Sequence, residues 1–193
     1  MAIKTFSVGE VLTASDTNTF LTNAGLVYIT SGALSNTLTN FANCFTSTYT
    51  NYQIVLDEIG LSGTGDIFIR YLKASDGTAD TSSVYWWAMR GLTSGGASAD
   101  SSSGAAVTYG YTGHVTDVAT LRLGSVVLQI TDPFLTRRTY AHVQAASSLA
   151  SYKQARSGMT AHNLDQSNSG IQFLTNSAVT MSGNVTIYGY RKA

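Results

Sequence analysis

Alternation of apolar and polar residues predicts β-strands along most of this chain. At positions 52–56 and again at 121–131, apolar side chains recur at every second residue, which is the period of a strand with one buried face. Clusters of Gly, Ser, Asn and Asp separate such stretches and supply turns. The pattern predicts about ten short strands, at positions 26–29, 52–56, 67–72, 84–89, 107–111, 121–131, 139–146, 152–160, 170–175 and 184–190. Such a series is typical of an all-β antiparallel β-sandwich or jelly roll.

Two segments lack this alternation and are predicted to be loops. Residues 35–43 are rich in Thr, Asn and Ser, and we expect them to link an N-terminal segment, residues 1–43, to a head domain, residues 44–193. Residues 93–106 are a low-complexity stretch of Ser, Gly, Ala and Asp. They are too polar to pack and too long for a hairpin turn.

The N-terminal segment carries the one helical pattern of the chain. Thr13 and Asp16 imitate a capping box, and Gly25 supplies a stop, so a short helix is predicted to begin near Ala14. A helix of about ten residues is marginal alone in water, and its apolar stripe is narrow: Ala14, Phe20, Leu21 and Ala24. It must therefore pack against its own head domain or against another protein.

The strand at 84–89 is the most aromatic part of the chain. Because successive side chains of a strand point to opposite faces, Trp86 and Trp87 must lie on opposite sides of the sheet. One tryptophan should face the core and the other something else. Exposed rings beside amides are the usual means of holding sugars or protein surfaces, and Trp86, Tyr109 and Tyr111 are the candidates for contact with a surface ligand. The alternative is that these rings lie in the core or at a subunit interface.

Composition narrows the possible partners. Of 193 residues only 11% are charged, and 11 basic residues balance 11 acidic ones. The absence of a basic patch argues against nucleic acid and against anionic membrane surfaces as partners, and no apolar run or signal peptide indicates membrane insertion or secretion. An uncharged polar surface with a net charge near zero favours a homo-oligomer. The lone Cys44 excludes an intrachain disulfide and is expected to be a small buried hydrophobe.

No catalytic, cofactor or metal site is predicted, and we expect no enzyme activity. The three histidines, His114, His142 and His162, stand singly without a second ligand at metal spacing. Neither a Gly-x-Ser-x-Gly motif nor a phosphate-binding loop is present. Asp57 with Glu58 and Asp76 with Asp80 are the carboxylate pairs, and we expect them to be solvated, the latter in a turn.

Three phrases give the sequence a resemblance to a known class. Residues 6–21, followed by Asn-Ala-Gly-Leu-Val-Tyr, resemble the N-terminal segment of tailed-bacteriophage virion structural proteins of the tail-fibre-like kind. Residues 45–54 and the ending Gly-Asn-Val-Thr-Ile-Tyr-Gly-Tyr-Arg-Lys look like the start and finish of the sandwich domain in those proteins. The middle of the chain, from about 75 to 165, shows no matching phrase.

The resemblance implies a fibre or spike protein of the virion, synthesised in the host cytoplasm. Such a protein would be a homotrimer that attaches through its N-terminal segment to another virion protein of the tail, portal vertex or capsid. Its β-sandwich heads would face outward and contact a host-surface glycan or protein. The residues expected to bury into the partner virion protein are Phe6, Val11, Leu12, Phe20 and Leu21.

Two other functions stay open at this point. One is a decoration or cement protein of the capsid or tail with no receptor role. The other is a glycan-degrading enzyme of the tailspike type.

Overall fold

Every regular element that the structure describes is a β-strand. The computed structural model describes residues 8–11, 13, 25–94, 96–116, 124–148, 153–175 and 178–191, with the backbone alone at 96–100, 114–116 and 191. Twelve strands lie within these ranges: β1 Leu26–Leu34, β2 Leu38–Phe41, β3 Tyr49–Leu61, β4 Gly65–Lys73, β5 Tyr85–Thr93, β6 Gly96–Val107, β7 Gly110–Thr116, β8 Gly124–Thr131, β9 Arg137–Ser148, β10 Lys153–Gln166, β11 Asn168–Thr175 and β12 Met181–Arg191.

The strands form two antiparallel sheets. The larger has eight strands in the order β1-β12-β3-β8-β9-β10-β5-β6, and the smaller has four in the order β2-β11-β4-β7. The chain therefore crosses repeatedly between the sheets, and consecutive strands such as β3 and β4 belong to different sheets. The all-β antiparallel class expected from the sequence is confirmed.

One hydrophobic core joins the two sheets. Alternate residues of β3 and β8 are buried, as the period of two predicts, and they meet the fully buried Tyr71 and Phe173 of the smaller sheet. Phe45 connects the sheets through ring contacts with Tyr52 at 4.7 Å and with Tyr71 at 6.3 Å between ring centroids. Cys44 is buried beside them, and burial raises the pKa of its thiol to about 12. Its expected role as a small buried hydrophobe is confirmed.

Two strands form where loops were expected. The polar stretch at 93–106 contains β6, which pairs along its length with β5, and residues 35–43 contain β2, which pairs with β11. Backbone hydrogen bonds to a neighbouring strand suffice to hold an edge strand of small polar residues, even though its side chains give no hydrophobic signal. The prediction of loops at these two positions was wrong.

The head begins earlier in the chain than the sequence indicated. Strand β1 pairs with β12 from Leu26 to Leu34, and β2 belongs to the smaller sheet. Residues 26–41, assigned to the N-terminal segment, thus supply two strands of the sheets. The predicted helix beginning near Ala14 lies outside the described residues.

Candidate functional site

A tyrosine joins a carboxylate and a guanidinium where the two sheets meet. Strand β4 supplies Asp66, β7 supplies Tyr111 and β10 supplies Arg156. The Tyr111 hydroxyl donates a hydrogen bond to Asp66 Oδ1 at 3.0 Å and accepts one from Arg156 Nη1. Asp66 and Arg156 each lie 45 residues from Tyr111 in the sequence, so only the folded chain brings the three together.

Aromatic rings surround this polar group. The Phe68 ring lies 4.2 Å from Tyr109 and 5.4 Å from Tyr111 between centroids, and the Trp87 ring lies 4.9 Å from Tyr111. Strand β6 approaches Trp87 closely because residue 104 is a glycine: a Cβ there would stand 2.5 Å from Trp87 Nε1. The rings supply rigid apolar area beside the charged groups.

These residues line an open cleft of about 320 Å³. Its lining residues are Asp66, Phe68, Trp87, Ser102, Tyr109, Tyr111 and Arg156. Two polar atoms of this lining, Trp87 Nε1 and Ser102 Oγ, are buried without a hydrogen-bond partner in the described part of the chain. Both atoms have less than 1 Å² of accessible surface, so they lie beneath the surface of the cleft.

Burial changes the acidity of Asp66. Removal from water raises the pKa of its carboxyl, and the hydrogen bond from Tyr111 and the charge of Arg156 only partly oppose that rise. The cleft thus carries one acidic and one basic side chain among its lining residues. It has no net charge when both are ionised.

A second depression lies on the other side of β5. Trp86 is 48% exposed and lines an apolar groove of about 440 Å³ together with Met159 of β10 and Ser103 and Ala105 of β6, and Trp87 borders this groove as well as the cleft. Ala161 lies opposite both Trp86 and Tyr140 in the strand register, so the exposed Tyr140 shares this face. The groove contains no charged residue among its lining side chains.

The structure separates the three aromatic candidates. Tyr109 and Tyr111 come together in the cleft, while Trp86 lies on the opposite face of β5, as the alternation of Trp86 and Trp87 predicted. Tyr111, a candidate either for surface contact or for the core, is only 4% exposed, because Trp87, Phe68 and Arg156 pack around it. Its ring is a wall of the cleft rather than a free surface contact.

Sequence reasoning missed the cleft residues Asp66, Phe68, Trp87, Ser102 and Arg156. They are dispersed over β4, β5, β6 and β10, and a non-local cluster leaves no spacing signal in a single sequence. The proximity of Asp66 to the glycine-rich turn before β4 marks it as a strand-end carboxylate, but nothing identifies its partner.

Of the predicted virion-attachment residues, the structure describes only Val11, whose side chain is 77% exposed. Phe6, Leu12, Phe20 and Leu21 lie outside the described residues.

A buried acid–base pair was not expected. His162 Nε2 lies 2.8 Å from Asp80 Oδ2, with the histidine fully buried and Asp80 6% exposed. Burial acts to raise the pKa of Asp80, but hydrogen bonds from Ser82 and His162 outweigh it and lower that pKa. Asp80 is therefore not the solvated turn carboxylate predicted, whereas its neighbour Asp76 is exposed and bonded to Thr78 and Lys73. A substrate has no access to His162, so the pair stabilises the fold.

His142 is exposed on β9, and the backbone of His114 lies in β7. Across the described ranges, no three His, Cys, Asp or Glu side chains are grouped closely enough to hold a metal ion. The search of these same ranges for a helix long and apolar enough to cross a membrane finds none.

No family model matches the chain, and no curated protein matches it significantly.

Proposed function

We propose that this protein is a structural protein of a tailed-bacteriophage virion, a fibre or spike appendage. In this proposal residues 1–25 attach it to another virion protein, and an antiparallel β-sandwich or jelly-roll head faces the host surface. The phrases at both ends of the chain that resemble phage proteins support it. So does the all-β head, because its low charge favours self-association, and the resemblance implies that the oligomer is a homotrimer.

The observation that carries the attachment is the exposure of apolar side chains ahead of β1. Val8 is fully exposed and Val11 is 77% exposed, although each would stabilise a contact by roughly 1.5 to 3 kcal/mol if it were covered. A partner protein that covers this segment would use that surface. The cleft supports the second part of the proposal, because it offers a ligand both rings and paired charges.

Truncation tests the attachment directly. A chain lacking residues 1–25 keeps all twelve described strands, so we expect it to fold and to form the same oligomer by light scattering. In a phage carrying the shortened gene, purified particles should lack the protein. Incorporation at the level of the full chain would overturn the proposed attachment.

A less invasive variant gives the same test with an intact chain. Val11→Asp places a charge in the proposed contact and should reduce incorporation. Glu10→Gln, at the neighbouring exposed position, is the matched control and should incorporate normally.

A decoration protein is the second candidate, and one observation favours it. The face of the eight-stranded sheet that carries Trp86 also exposes Tyr28, Tyr140 and Met159, which suits lateral packing on a shell. Copy number separates the two functions. Hundreds of copies over the capsid would indicate decoration, and a few copies at one vertex would indicate a fibre.

We further propose that the head binds without catalysis. Glycoside hydrolysis ordinarily uses two carboxyl groups about 5 to 10 Å apart, and Asp66 is the one carboxylate among the residues that line the cleft. Shortened chains after incubation of the purified protein with host polysaccharide would indicate the tailspike-type enzyme instead.

A further inference from the structure

We propose that the cleft binds a neutral pyranose unit of a glycan. This inference rests on the proposed host-contact function and names its ligand. The ligand class follows from three properties of the cleft: its polar side chains, its rings and its charge balance.

The polar atoms suit hydroxyl groups. A sugar hydroxyl both donates and accepts hydrogen bonds, and the cleft presents both kinds of partner. Asp66 accepts hydrogen bonds, and the guanidinium of Arg156 donates them. Adjacent hydroxyls of one ring could bridge these two groups.

The rings suit the apolar side of a pyranose. Tyr109 is half-buried, and its ring packs on Phe68 with a centroid distance of 4.2 Å. Phe68 packs in turn on the buried Tyr111, so Tyr109 rests on a fixed ring and presents a partly exposed aromatic surface to the cleft. Such a surface gains contact area at little cost in side-chain entropy.

Charge and size select among sugars. Arg156 and Asp66 are joined through Tyr111, so the pair presents no net charge to a ligand. An anionic sugar would gain from Arg156 but would be repelled by Asp66, whereas a neutral sugar meets no such opposition. A volume of about 320 Å³ is at the lower end for small-molecule sites and suits one or two sugar rings.

Tryptophan fluorescence can locate the ligand, because the chain has only two tryptophans and they lie on opposite faces of β5. In Trp86→Phe the remaining emission comes from Trp87, which lines the cleft. In Trp87→Phe it comes from Trp86, which lines the apolar groove. The full chain carrying each change is titrated with neutral oligosaccharides of glucose, galactose and mannose, and with uronic-acid and sialic-acid oligosaccharides.

We expect at least one neutral series to change the Trp87 emission with saturation and to leave the Trp86 emission unchanged. A response from Trp86, alone or together with Trp87, would overturn the inference, because Trp86 lines only the apolar groove whereas Trp87 lines both the groove and the cleft. Saturation with acidic sugars alone would overturn the neutral class, and no response from either tryptophan with any sugar would overturn the site.

Two substitutions in the Trp86→Phe background test the named groups. Asp66→Asn and Arg156→Gln should each weaken binding about tenfold or more, because each weakens a charge-assisted hydrogen bond. Asp57→Asn and Arg90→Gln are the matched controls, since both residues are exposed on strands of the larger sheet, and their affinities should stay within about twofold. Unchanged affinity in both cleft variants, with a native circular dichroism spectrum, would contradict the proposal.

The result is independent of the attachment test. Saccharide binding by a chain that never enters particles would overturn the proposed virion role and leave the cleft assignment standing. Incorporation into particles without binding of any sugar would overturn the cleft assignment and leave the proposed virion role standing.

Discussion

The head contains two acid–base groups that share the same ingredients and differ in access to solvent. In one, Asp80 contacts His162 beside the stacked rings of Tyr71 and Tyr85. In the other, Asp66 contacts Arg156 through Tyr111. Each includes a carboxylate, a basic side chain and tyrosine, and each joins strands of both sheets.

Burial distinguishes their roles. His162 is fully buried, and the Tyr85 hydroxyl accepts from the Tyr71 backbone and donates to the Asp80 carbonyl. The group at Asp66 instead lines an open cleft. Similar residues thus fix the fold at one place and remain available to a ligand at the other. The pKa values of the two carboxyls also shift in opposite directions, because burial dominates at Asp66 whereas hydrogen bonds from Ser82 and His162 outweigh burial at Asp80.

The largest expected effect is that of Asp80→Ala. It removes the partner of a fully buried histidine and the acceptor of two bonds from Ser82, so the free energy of unfolding should fall by about 3 kcal/mol. Chemical denaturation measures the loss. Asp57→Ala on the exposed face should change it by no more than about 0.5 kcal/mol. Equal losses of unfolding free energy for Asp80→Ala and Asp57→Ala would show that the pair of Asp80 and His162 does not stabilise the fold.

An intermediate effect is expected for Gly104→Ala. The new Cβ would stand 2.5 Å from Trp87 Nε1 and 2.6 Å from Cε2, so Trp87 or β6 must shift, at a cost of about 1 to 3 kcal/mol. The emission of Trp87 in the Trp86→Phe background should shift as well. Gly63→Ala is the control, because its Cβ meets Val179 at an ordinary 3.7 Å. An unchanged spectrum and stability would contradict the packing of β6 against Trp87.

The smallest expected effect is a gain in stability, from Asp66→Asn. Burial raises the pKa of Asp66 in the fold, so its ionisation near pH 7 opposes folding, and Asp66→Asn should increase the free energy of unfolding by up to about 1 kcal/mol after allowance for solvent in the cleft. The gain should vanish as the pH falls and the wild-type carboxyl becomes protonated.

The stability contributed by Asp80 has the opposite dependence on pH. Its lowered pKa gives stability that is present above the unfolded value of about 4 and is lost as the pH falls through the folded value. Chemical denaturation of Asp66→Asn and of Asp80→Asn between pH 3 and 7 measures how the stability change of each variant depends on pH. Parallel pH profiles would show that the two carboxyls lie in equivalent environments.

Much of the fold was accessible from the sequence, because strands with one buried face carry a period of two. Strands β3 and β8 follow that pattern, and Trp86 and Trp87 divide between the faces as it requires. Strand β6 has no such signal, since Ser, Gly and Ala dominate it and the backbone pairing with β5 defines it.

Only part of the cleft could be predicted from the sequence. Tyr109 and Tyr111 stand out as aromatic residues in a polar stretch, but their charged neighbours depend on which strands become adjacent. Asp80 shows the same limit: a carboxylate in a turn is normally solvated, and only the position of β10 beside the turn buries it against His162.

The order of strands in the larger sheet also sets the distance between strand β1 and the cleft. Strands β1 and β6 are its two edges, so residue 25 leads into one edge while the cleft opens near the other. Eight strands leave seven spacings of about 4.8 Å, or about 34 Å in all. Attachment through the segment that precedes β1 would therefore place the cleft across most of the width of this sheet from the attached edge.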